Sequence, residues 1–189
     1  LNPRAYAILH RRHHKYSDTE KDPHSPEFSK NIIMLNINTV KHYESVRRDK
    51  KDYSKYDYNV PRWESLEKFS DHWITRVFFI AFYTLVYVTY STSTWQYMLL
   101  PIHFVMGPLH GSIVNWCGHR YGYVNHKKTN DKSKNTLPFD FLMMGELFQN
   151  NHHWKPKSIN FSSRWFEIDP GFLFTKILNK INMIRINNG

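Results

Sequence analysis

Apolar positions are distributed unevenly along this chain. "WITRVFFIAFYTLVYVTY" at residues 73–90 is apolar or aromatic apart from Arg76 and a few threonines. After "STST" at 91–94 comes "WQYMLLPIHFVMGPLHGSIVNWCG" at 95–118, which carries no formal charge. A helix needs roughly 20 residues to cross about 30 Å of hydrocarbon. The first run is marginal by that measure and the second is long enough. The pattern predicts an all-α fold, an integral membrane helical bundle with one transmembrane hairpin, spans 73–90 and 95–118. Trp73, Tyr90, Trp95 and Trp116 stand where an aromatic belt anchors span ends, and Arg76 is close enough to an end to snorkel. A buried hairpin in a soluble helical protein is the alternative reading.

The polar remainder is less regular. "NIIMLNINTVKHYESV" at 31–46 has a partial helical stripe of Ile33, Ile37, Val40 and Tyr43 or Glu44. The stretch 47–63 is charged and aromatic without periodicity and reads as a surface connection. Asp169-Pro170 reads as an N-cap followed by proline at the first helical position. Beyond it, Phe174, Ile177, Leu178 and Ile181 repeat at helical spacing with Lys176 and Lys180 between them. That is the pattern of an interfacial amphipathic helix, or of an ordinary core-facing one. With no internal repeat or linker, residues 1–189 read as a single domain.

Charge then orients the hairpin. The 189 residues carry 26 Lys+Arg against 16 Asp+Glu, a net charge of +10. Of those basic residues 14 precede residue 73, 11 follow residue 118, and the tip between the spans has none. Basic flanks stay in the cytoplasm, so both ends of the hairpin share that compartment. A nucleic-acid module would explain the charge but not the hairpin or the histidine sets below, so no nucleic acid is expected as a partner. The single cysteine, Cys117, excludes an internal disulfide framework and any CxxC zinc motif.

The shared compartment matters because histidines lie on both sides of the hairpin. "LHRRHHKYSD" sets His10, His13 and His14 at i, i+3 and i+4, on one helical face. "GELFQNNHHW" repeats the spacing with Gln149, His152 and His153. His119 follows the second span, with Asn115 four residues earlier on the same face. Neutral imidazoles gathered in this way suit a transition metal. Asp18 and Glu146, one helical turn from the two rows, are candidates to hold ring N–H groups, or plain surface charges. Asp22 and His24 in "DPHSP" read as orienting or surface groups rather than ligands. His103 and His110 lie inside the second span and should pack or hydrogen-bond toward the bundle. His126 reads as a surface histidine.

These motifs resemble the membrane fatty-acid desaturases of the acyl-CoA (stearoyl-CoA) type, bacterial branch. "HRRHHKYSDTEKDPHSP" is similar to that family's second histidine box, "GELFQNNHHW" to the third, "NWCGHRYGY" to the additional histidine segment and "RWFEIDP" to the bacterial branch. The resemblance implies a multi-pass membrane protein with a cytoplasmic helical histidine-box cap above an acyl tunnel. It implies two iron ions, O₂ as co-substrate, and His10, His13, His14, His119, His152 and His153 as ligands. Asn115 would act through a water and Gln149 as a weaker donor in place of the usual histidine. The implied reaction inserts a cis double bond into a saturated acyl chain carried as a thioester or lipid. Electrons would come from a separate ferredoxin, cytochrome or reductase, and membrane lipids surround the spans. A histidine-box hydroxylase and an inactive remnant are the rival readings. The family's first box, HxxxxH, has no counterpart, since no two histidines here are five apart. The resemblance therefore implies N-terminal truncation, with the fragment alone inactive.

Overall fold

The computed structural model describes residues 1–48 and 51–186, and every regular element among them is helical. Asn2 opens α1 (Pro3–Tyr16) by accepting the backbone N–H groups of Arg4 and Ala5, with Pro3 at the position where a missing N–H is harmless. α2 (Ile32–Arg47) starts at Asn31, which accepts from the Met34 N–H. Ala5, Ile8 and Leu9 of α1 form a small core with Val46 of α2 and with Tyr53 and Tyr56 of a 3₁₀ turn at Lys51–Tyr56.

Two expectations change here. The stretch 47–63 is not simply a surface connection, because Tyr53 and Tyr56 complete the core; Asp49 and Lys50 lie outside the described residues. On α2 the anticipated stripe points the wrong way. Ile33, Ile37 and Val40 are exposed, while Leu35 and Val46 are buried. Leu35 and Val46 are eleven positions apart, nearly the same azimuth at 3.6 residues per turn, and the stripe falls opposite them. α2 packs against α1 and a later helix, and that choice of neighbours selects the buried face.

After α3 (Glu64–Asp71), α4 (Trp73–Tyr90) runs 18 residues without one buried side chain. Its length is about 27 Å at 1.5 Å per residue. Among the described residues it is the one helix long and apolar enough to cross a membrane unaided. A core helix of a soluble protein is mostly covered and α4 is not, which favours a span over the buried-hairpin alternative. The second expected span is not straight. It consists of a 3₁₀ turn at Thr94–Leu99, α5 (Leu100–Phe104) and α6 (Met106–Arg120), with a 72° bend at the break. Pro108 accounts for the break: it has no N–H for the Phe104 carbonyl, and its ring clashes with that carbonyl. The His103 ring lies 5.4 Å from the Tyr83 ring and 5.6 Å from that of Tyr87, facing the bundle as expected.

The chain closes with α7 (Gln149–Trp154) and α8 (Pro170–Lys180). Asp169 caps α8 by accepting the Phe172 N–H. Phe174, Ile177 and Ile181 stay exposed and Leu178 half-buried, so the core-facing reading of α8 is set aside.

Candidate metal centre

α1, the end of α6 and α7 bring six imidazoles together. His10, His13 and His14 share the inner face of α1, as their spacing requires. His152 and His153 come from α7, and His119 from the last turn of α6. Two triads result. In the first, the Nε2 atoms of His10, His14 and His152 form a triangle with sides of 3.0, 2.9 and 3.0 Å. In the second, His13, His119 and His153 converge, with the Nε2 atoms of His13 and His153 3.2 Å apart.

Three aspartates decide which ring nitrogens face inward. His13 donates from Nδ1 to both carboxylate oxygens of Asp22 at 3.0 Å. His119 Nδ1 donates to Asp18 at 2.9 Å and His153 Nδ1 to Asp131 at 2.6 Å. With each proton held on Nδ1, the three Nε2 lone pairs point at one another. Such an arrangement is repulsive unless a cation lies between them. The buried His119 Nε2 has no partner among the described residues. The first triangle fits a metal as well, since ligands at right angles and about 2.1 Å from an ion stand about 3.0 Å apart.

Electrostatics point the same way. Burial, reinforced by neighbouring histidines, lowers His10 to about 4, His152 to about 3 and His14 to about 2, and takes His13 well below its ordinary value. At neutral pH these rings are uncharged, the form that binds metal. Burial works to raise Asp131, but hydrogen bonds from His153 and Ser133 hold it well below the usual carboxylate range. Asp18 is likewise lowered: burial opposes, and the bond from His119 prevails.

The other expected residues divide. Asp18 does orient a ring, yet its partner is His119 rather than the α1 row, because α1 ends at Tyr16 and the chain turns with Asp18 at a φ of 58°. Asp22 is buried and orients His13. His24 is buried too, its ring centroid 4.4 Å from that of His13 and both its nitrogens unpartnered among the described residues. Neither is a surface group. Glu146 contacts no ring nitrogen among the described residues; burial, then Asp169 and Asp140, raise it to about 7. Gln149 packs against Gly118, where an added Cβ would lie 2.3 Å from its Cγ, and its amide donates to the Glu146 carbonyl at 2.7 Å. Asn115 donates to the Gly111 carbonyl at 2.8 Å and lines a cleft shared with His10 and His24. His126 stands apart, stacked on Trp154. Asp131 escaped sequence reasoning altogether, because a polar loop has no period that marks one acid among its neighbours.

Six convergent imidazoles with carboxylates behind three of them form histidine clusters that could hold a metal ion, on a helical, partly apolar scaffold. The family profile described as "Fatty acid desaturase" matches residues 1–167, and the chain belongs to that family. It is 26% identical over 185 residues to a "sn-1 stearoyl-lipid 9-desaturase" of Synechocystis sp., covering 94% of this chain and 53% of that protein. An "Acyl-CoA Delta(11) desaturase" of Choristoneura rosaceana is 29% identical over 154 residues, covering 78% of this chain and 44% of the relative. A "Hex-5-enoyl-[acyl-carrier protein] acetylenase" of Moorena producens is 24% identical over 197 residues, covering 95% and 59%. The chain thus spans about half the length of the curated relatives it matches. No solved structure matches it.

Proposed function

We propose that this chain is a metal-binding part of a membrane fatty-acyl desaturase, and that residues 1–189 act as one domain. In this reading His10, His14 and His152 hold one iron, while His13, His119 and His153 hold a second. Asn115 acts through a water, and Gln149, turned against Gly118, is at most a water-mediated donor. The observation that carries the proposal is the pair of converging imidazole sets, the second of which has its tautomers imposed by Asp18, Asp22 and Asp131.

Abstracting hydrogen from an unactivated methylene needs an oxidant stronger than any side chain, which two irons and O₂ supply. The protein's own contribution is positional. The aspartates keep Nδ1 protonated on His13, His119 and His153 and so orient those rings, while burial keeps His10, His13, His14 and His152 neutral. The cleft beside His10 is narrow, with about 70 Å³ of room, and runs between Leu9, Val40, Tyr43 and Pro108. Its apolar walls suit a few methylenes of a saturated acyl chain, delivered as a thioester or a lipid, with the rest of that chain lying outside this cleft. Electrons come from a separate ferredoxin, cytochrome or reductase. In this reading the metal site lies on the cytoplasmic side of a multi-pass membrane protein, a placement that the basic flanks of the hairpin support.

Iron content and product analysis of the protein in membranes test this reading. Bound iron, with a cis-monoenoic product once an upstream HxxxxH-bearing hairpin is joined to the chain, supports it; an alcohol product moves the chain to the hydroxylases, and iron-free protein sinks it.

A further inference from the structure

Between the metal region and α8 the chain makes a turn at residues 137–144 that is rigid in its backbone and apolar at its surface. The buried Asp140 carboxylate accepts the N–H groups of Met143, Gly145 and Leu147 at 2.9, 3.1 and 3.0 Å. Ile168 donates to the Pro138 carbonyl and Gly171 to that of Met144, each at 3.2 Å, which pins the turn to the start of α8. A turn so fully bonded would ordinarily show polar residues and glycine to water. This one shows Phe139, Phe141, Leu142 and Met144, with Leu142 at its tip 83% exposed.

The tip also has a known depth. His110 Nε2 donates to the Leu142 carbonyl at 3.2 Å. His110 precedes His119 by nine residues on α6, about 13 Å along the axis at 1.5 Å per residue. The tip therefore lies well away from the metal region, along the helix toward the apolar hairpin.

We infer that the 137–144 turn enters the lipid bilayer, with acyl chains covering Phe141 and Leu142. The inference rests on the reading of the chain as a membrane protein and extends it to a non-helical element. Irregular backbone enters an apolar medium where its polar groups are satisfied internally; Asp140 and the two carbonyl anchors bond the shoulders of the turn, and its tip rests at the headgroup boundary, where water meets the Phe141 and Leu142 N–H groups. The attached α8 supplies the matching surface, with Phe174 and Ile177 exposed and Lys176 and Lys180 placed to meet headgroups.

The test uses the full chain in phosphatidylcholine vesicles, with an environment-sensitive fluorophore on a single cysteine in a Cys117→Ser background. Leu142→Cys reports the turn, Leu85→Cys reports α4, and Tyr58→Cys reports the exposed cap. Shallow-labelled doxyl lipid should remove about half or more of the emission at 142, as burial of about 5–10 Å at the acyl boundary requires. Position 85 should be quenched by lipid as well, and position 58 only by aqueous iodide. Iodide quenching at 142 with lipid quenching at 85 overturns the inference and leaves the membrane reading standing. Protection of 142 from both quenchers means that protein covers the turn, which also overturns it. Iodide quenching at both 85 and 142 overturns the two together.

Discussion

Around the ring cluster the side chains withdrawn from water are polar: His13, His119 and His152 with Asp22, and beside them Asn135, Asn150 and Asn151. Along α4 the opposite holds, for Phe78, Phe82, Leu85 and Val88 are all exposed. Burying polar groups is unfavourable unless each finds a partner, so the first region is populated by hydrogen bonds between named atoms. Exposing an apolar helix is unfavourable in water and not in lipid. One chain thus carries a precise polar interior and an apolar exterior. The first is organised by geometry, the second by the surrounding solvent.

Replacing a ring should break the contrast most severely. His13→Ala removes one nitrogen from the second triad and leaves the buried Asp22 with only the backbone N–H groups of Asp18 and His24 as donors. Metal content should fall by at least about 100-fold in affinity, beyond the loss typical of an orienting partner, as read by metal analysis after dialysis. Unchanged iron would show that the triads are not the binding groups.

Acid should act nearly as strongly on metal-free protein. His10, His14 and His152 have folded-state values below the ordinary 6.5, so the unfolded chain binds protons that the folded chain refuses. Their contribution is therefore complete above about pH 6.5. It is lost as pH falls below that, until each folded value, about 4 for His10, is passed. Each ring costs up to about 1.4 kcal/mol per pH unit in that window. Denaturant midpoints between pH 7 and 4 measure it, and a flat profile would contradict the buried neutral rings. Bound metal should raise the midpoint at pH 7, and chelation should reverse it.

Asp131→Asn keeps an oxygen facing His153 but removes the charge that holds its ring proton. Metal affinity should drop about 10- to 100-fold with the fold intact by circular dichroism. An equal loss in Asn160→Ala, outside the ring cluster, would deny Asp131 an orienting role. Gly118→Ala should cost about 1–3 kcal/mol of stability, because its Cβ would meet the Gln149 side chain. Wild-type melting would show that Gln149 moves freely. The smallest effect belongs to His126→Ala. Stacked on Trp154 and away from both triads, it should change stability by no more than about 0.5 kcal/mol and leave metal content unchanged.

The candidate site was legible to different depths. His10, His13 and His14 could be placed on one face from spacing alone, and α7 repeats that face. The convergence of the two with His119 was expected from a shared compartment, an argument about charge rather than contact. Asp18 was chosen by helical spacing and turned out to serve another ring, because the helix stops before it. For Asp22 and His24 the sequence leaves orienting and surface roles both open, since a turn has no face to infer burial from, and the fold selects the orienting one for Asp22. The stripe of α2 was real as a pattern and faced outward all the same.

What the sequence by itself determined is whatever depends on periodicity and composition: helical class, the histidine faces, the capped start of α8 and the apolar run of α4. These are local, set by 3.6 residues per turn and by which residues lack a charge. The tertiary structure decided which faces met. It turned Leu35 rather than Ile33 inward and brought Asp131 across from a loop to His153. Contacts between distant segments depend on the summed packing of every element, and no repeat along the chain records that sum.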